Sequence, residues 1–96
     1  MKKTFPLEVP GIKPPRVIES IKHDVRKYLK RERRKPLPEG VDFWDFDCRV
    51  GPDSETPKAT HAEDVNGAID TASRDNWPAI YIEILAKPGH RKSKLS

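Results

Sequence analysis

Residues 17–35 read VIESIKHDVRKYLKRERRK, and the spacing of their apolar side chains decides the fold. Val17, Ile18, Ile21, Val25, Tyr28 and Leu29 recur at i, i+1, i+4, i+8, i+11 and i+12. On a 3.6-residue period these positions line up as one apolar stripe, which predicts an amphipathic helix packed by that stripe. Pro14-Pro15 stands just ahead of it, and Pro15 suits a first helical position, where a missing N–H costs nothing. Pro36 disfavours helical geometry at Lys35, and Pro38 and Gly40 complete the break. The last turn and a half is almost entirely basic: Lys30, Arg31, Arg33, Arg34 and Lys35, with Glu32 the lone acid. Cations there oppose the negative end of the helix dipole, at about 0.3–1 kcal/mol per well-placed charge. Part of this charge therefore has a structural use.

Working outward, residues 41–50 alternate: Trp44, Phe46, Cys48 and Val50 share one strand face, with Asp42 at the entry, while Phe43, Asp45, Asp47 and Arg49 share the other. Ile80, Ile82 and Ile84 alternate with Tyr81, Glu83 and Leu85 in a last strand from Ala79 to Ala86, stopped by Pro88-Gly89. Phe5, Leu7 and Val9 alternate in a weaker strand that Pro6 would confine to a sheet edge. Gly51 to Ala59 reads as a polar loop, after which Thr60-His-Ala-Glu63 has capping-box spacing for a second helix. Its stripe is Val65, Ala68, Ile69 and Ala72, and it ends at Asp75-Asn76 and Pro78. Gly67 either weakens that helix or permits a close contact with the sheet. The expected fold class is α+β, a two-layer sandwich with two helices on one face of a small two- to three-stranded sheet, in the order β(weak)-α-β-α-β. The segment 41–86 points to a right-handed parallel crossover, while its solvent-facing acids fit an antiparallel sheet as well, so strand direction stays open. Residues 1–90 form the single expected domain, and 91–96 a flexible basic tail.

The chain has 96 residues, 34% apolar and 35% charged, which fits one domain with a compact core. Cys48 is the only cysteine, so neither an intramolecular disulfide nor a multi-cysteine zinc site can form, and a cytoplasmic location is expected. Met1-Lys2-Lys3 mimics the start of a signal peptide, but Thr4, Pro6, Glu8 and Pro10 interrupt the apolar run that should follow. No stretch approaches the roughly 20 apolar residues of a membrane span. The net charge of +4 hides a strong polarity. Residues 16–35 hold nine Lys/Arg against three Asp/Glu, residues 39–75 three against ten, and residues 87–96 four against none.

Three stretches together carry a resemblance: MKKTFPL at 1–7, ESIKH at 19–23 running on to GVDFWDFDC at 40–48, and YIEILAKPGHR at 81–91. The chain resembles a family of small bacterial cytoplasmic proteins, about this length, classed as a domain of unknown function. The resemblance covers most of the chain. It implies a bacterial, self-contained, single-domain protein and carries neither an activity nor catalytic residues.

The densest functional signal is the basic helix end. Arg26, Lys27, Lys30, Arg31, Arg33, Arg34 and Lys35, extended by Arg91 and Lys92 of the tail, are the candidate nucleic-acid-binding residues. RNA stands ahead of duplex DNA because no groove-reading motif is present, and no recognised RNA-binding module is present either. The competing reading is a solvated face whose charge is cancelled by the acidic middle. Two other functions remain as alternatives. One is a protein–protein interaction module that meets an acidic partner or pairs with itself. The other is a metal-dependent enzyme using Asp45 and Asp47, whose two carboxylates on one strand face could hold Mg²⁺ with waters. Strand alternation alone accounts for those acids. His23, His61 and His90 lack HxxxH or HxH spacing and read as surface residues. Cys48 reads as core filling. No cofactor, metal, membrane contact or catalytic residue is expected.

Overall fold

A computed structural model describes residues 1–91 of the chain. The element order is β1 (Lys2–Pro6), α1 (Pro14–Arg33), β2 (Phe43–Gly51), β3 (Lys58–Thr60), a 3₁₀ turn (Ala62–Asp64), α2 (Val65–Arg74) and β4 (Ala79–Gly89). The α+β expectation stands, with one strand more than the sequence pattern displayed. The sheet runs β1-β4-β2-β3 and every neighbouring pair is antiparallel.

The fourth strand explains why the parallel crossover does not form. Lys58–Thr60 lies in what reads as a polar loop, yet it folds back on β2 with Cys48 opposite Thr60 and Val50 opposite Lys58. That hairpin adds one reversal to the two of a β-α-β crossover, so β4, like β3, runs antiparallel to β2. β1 and β2 run the same way on either side of β4, with α1 joining them, a split β-α-β arrangement.

Alternation decides the two faces. Phe46, Cys48 and Val50 of β2 pair with Ala86, Ile84 and Ile82 of β4, and Phe5 of β1 pairs with Ile80, so these side chains project together. Against them α1 buries Val17, Ile18, Ile21, Val25 and Leu29, and α2 buries Val65, Ile69 and Ala72. Ile69, Ile80, Ile82 and Ile84 are fully buried at the centre. Each such side chain contributes about 1.5–3 kcal/mol relative to exposure.

Turns and caps follow local chemistry, with corrections. The Leu7 amide donates to Pro78 O at 2.9 Å and the Ile84 amide to Met1 O at 2.7 Å, so the odd residues of β1 face β4. Pro6, which has no N–H to give, therefore faces the free edge, as its chemistry requires. Pro88-Gly89 does not stop β4, which runs through to Gly89. The same alternation turns the Pro88 nitrogen toward the side where β1 no longer reaches, so no ladder bond is lost. Thr60 does not build a capping box either: it is in β3 and its hydroxyl donates to Lys58 O at 3.0 Å. The cap is one residue later, where His61 Nδ1 accepts from the Glu63 amide at 3.3 Å. Helix α2 closes with Asn76 at φ 57°, its amide donating to Ser73 O and the Trp77 amide to Ala72 O, a Schellman arrangement that asparagine tolerates. At Gly67 a Cβ would meet open space, so that glycine makes no close contact with the sheet.

Candidate nucleic-acid interface

The basic residues sit on the last turns of α1, on the faces its packed stripe leaves open. Arg26, Lys30, Arg33 and Arg34 stand at i, i+4, i+7 and i+8 and therefore share one face, with Lys27 beside them. They extend along about 12 Å of helix axis. Arg31 lies on the opposite flank, its guanidinium 5.4 Å from the centre of the Tyr28 ring. All six are exposed. The helix stops at Arg33, and the amides of Arg34 and Lys35 close the last turn on Arg31 O and Glu32 O. Trp44 of β2 then completes the terminus: its indole Nε1 donates to Lys35 O at 2.9 Å. The helix end is thereby tied to the start of β2 and to Pro88 of β4, which lies opposite Trp44.

Glu32, the lone acid of this turn, is buried at 8% exposure. It stands three residues after Leu29 and seven after Val25, so it continues the apolar stripe rather than diluting the basic face. Its Oε2 lies 2.5 Å from Lys35 Nζ and has no hydrogen-bond partner beyond that ion pair among the described residues. The Lys35 ammonium holds the Glu32 carboxyl below the usual carboxylate range, against the opposing effect of burial, and Tyr28 adds to the lowering. Burial and the Glu32 carboxylate push the Tyr28 phenol up.

Part of the acidic middle is engaged elsewhere. Lys87 reaches Asp47 at 2.6 Å and Asp45 at 3.8 Å on the outer sheet face. Glu83 lies 3.9 Å from both Lys2 and Arg49 on that face. Asp53 accepts from the amides of Glu55 and Thr56, which holds its carboxyl low. Asp70 of α2 pairs with Lys22 at 2.7 Å, at the middle of α1. Among the described residues, none of Arg26, Lys27, Lys30, Arg31, Arg33 and Arg34 stands within ion-pair distance of a carboxylate. Of the eight candidates among the described residues, only Lys35 has its charge met in this way, by Glu32.

The tail joins this end of the molecule through Arg91. Its amide donates to Asp42 Oδ2 at 2.8 Å, and the Asp42 amide donates to Gly89 O at 3.0 Å. Arg91 thus lies two residues past Gly89, where the β2–β4 pairing ends. Lys92 and the rest of the expected tail lie outside the described residues.

The family model for DUF6172, a family of unknown function, matches residues 1–95. The chain belongs to this family. No curated protein and no solved structure matches it. Membership in DUF6172 brings no activity with it, so any functional reading has to come from the side chains themselves.

The remaining candidates are less convergent. Asp45 and Asp47 do share the outer face, but the Lys87 ammonium stands where a cation between them would. Among the described residues no three His, Cys, Asp or Glu side chains gather in a way that could hold a metal ion. His23 and His90 are exposed, and His61 is engaged as a cap. Cys48 is buried, and burial pushes its thiol up, as do the carboxylates of Asp47 and Asp45. No described helix is long and apolar enough to cross a membrane. A groove of ≈ 840 Å³ runs between β1 and α1, with Phe5, Val9, Ile12, Val17 and Ile21 in its lining. Sequence reasoning did not find that groove, the Trp44 cap or the burial of Glu32. Only the last left a signal, in its position on the stripe.

Proposed function

We propose that this DUF6172 protein is a non-catalytic binding module that engages nucleic acid, RNA ahead of duplex DNA, through the C-terminal face of α1 extended by Arg91. One observation carries the reading: among the described residues six exposed arginines and lysines at one helix end make no ion pair, while Asp45, Asp47, Glu83 and Asp70 engage Lys87, Lys2, Arg49 and Lys22 and Asp53 engages its own loop. An unneutralised cationic cluster of this density attracts a polyanion, and arginine adds bidentate contacts to phosphate.

Fluorescence titration of labelled RNA and DNA at stepped salt tests this. Engagement of six phosphates on a single strand predicts a log–log salt slope near about −4. Absence of binding at tens of micromolar and low salt, or binding indifferent to salt, overturns the proposal. A second reading, a protein-interaction module, is favoured by the apolar groove beside the free edge of β1. Light scattering that shows a stable dimer, with no affinity for RNA, would shift the conclusion to it.

A further inference from the structure

Resting on the nucleic-acid reading above, we infer that the ligand is single-stranded and that one unpaired base stacks on Trp44. The indole is half-buried and lies directly beyond the last basic turn. Its only hydrogen-bond donor is already given to Lys35 O. The ring packs partly against the core, and the part still open to solvent offers apolar surface and no polar handle, which suits stacking rather than base-edge readout.

The surroundings fit a base. Trp44 shares its strand face with Phe46, about 7 Å along β2 by strand rise. The Arg33 guanidinium covers Phe46, 5.4 Å from the ring centre. Across the sheet the neighbour of Trp44 is Pro88, a rigid apolar ring. The cations placed closest to Trp44 are Lys35, whose carbonyl the indole holds, and Arg33 over the neighbouring Phe46. Cations flanking an anchored aromatic ring are the pairing that single-strand binders use: the charges track the backbone while a base leaves its stack for the ring. A duplex keeps its bases paired and would leave Trp44 unused.

The test uses the full chain carrying Trp77→Phe, so that Trp44 alone reports by fluorescence. Three ligands are titrated at low salt: single-stranded oligo(A) RNA, the same strand annealed to oligo(U), and inorganic polyphosphate. Quenching of Trp44 by oligo(A) and not by polyphosphate is expected. Trp44→Leu should weaken oligo(A) binding about tenfold or more with little change for polyphosphate, and Trp44→Phe, which keeps a ring, should recover most of the loss. If Trp44→Leu fails to fold, as judged by circular dichroism, the quenching contrast between oligo(A) and polyphosphate decides alone. Equal affinity for single strand, duplex and polyphosphate, without quenching, overturns the stacking site and leaves nucleic-acid binding standing. Failure of all three ligands to bind overturns both.

Discussion

Two regions of this molecule carry dense charge, and they treat it in opposite ways. On the outer sheet face, acids and bases alternate across strands: Lys87 beside Asp45 and Asp47, and Glu83 between Lys2 and Arg49. At the end of α1, one sign accumulates and the single acid is turned inward. The outer face is uncovered by helices and needs solubility without a field, which paired charges provide. The helix end keeps its field. Charge density alone therefore does not single out a candidate surface; density left without ion pairs among the described residues does.

That contrast can be broken most forcefully at the helix end. The triple variant Arg26→Gln, Lys30→Gln, Arg34→Gln is expected to reduce the salt slope of RNA binding by about 2, since each phosphate contact on a single strand contributes about 0.7. Affinity at low salt should fall at least roughly tenfold. Loss of favourable dipole charges should cost stability only about 1 kcal/mol, read by urea unfolding. An unchanged salt slope would mean the exposed cations are a solvated face after all.

A pH titration sharpens the contrast from inside the same turn. The Lys35 ammonium holds the folded-state pKa of Glu32 below its unfolded value of about 4.3. A lowered carboxylate pKa gives stability that is complete above the unfolded value and disappears as pH falls through the folded one. The stability gap between the native chain and Glu32→Gln should therefore be widest above about pH 5 and shrink steadily in more acidic solution. A gap independent of pH would show that Glu32 contributes packing alone.

The smallest effect belongs to the outer face. Lys87→Gln leaves Asp45 and Asp47 facing each other without their cation. A slight fall in Tm is expected, recovered on adding salt, because screening relieves the repulsion of exposed charges. RNA binding should not change. Weakened binding in this variant would extend the interface onto the sheet and erase the distinction between the two regions.

The parts of this fold that were legible are those in which one residue pattern repeats long enough to be counted. Six apolar positions on α1 and three isoleucines on β4 announce their buried faces without help. β3 could not be read, because Lys58-Ala-Thr60 is three residues long, carries no buried apolar side chain, and owes its conformation to β2 alone. Missing that strand reversed the apparent direction of β4. Capping of the 3₁₀ turn ahead of α2 by His61 was hidden for a similar reason: Thr60-x-x-Glu63 has the right spacing, but pairing with β2 claims Thr60 first. At the candidate site the identity of the cations was plain from composition. Their freedom from counter-charge was not, since it depends on where Lys87, Lys22 and Arg49 stand in three dimensions.

The seam between β1 and β4 has a consequence for the order in which the molecule assembles. β1 has no neighbour in the sheet except β4, and the Met1 ammonium is held by Ile84 O at 2.6 Å across 83 residues of chain. During synthesis the first strand and the basic helix emerge long before their floor exists. Until Ile80, Ile82 and Ile84 leave the ribosome, the apolar side of α1 has only β2, β3 and α2 to cover it. Closing a loop of this length comes late and slowly, because most of its entropy must be lost before the pairing compensates for it. A chain truncated before β4 is thus expected to remain an open, aggregation-prone intermediate with its arginines already displayed.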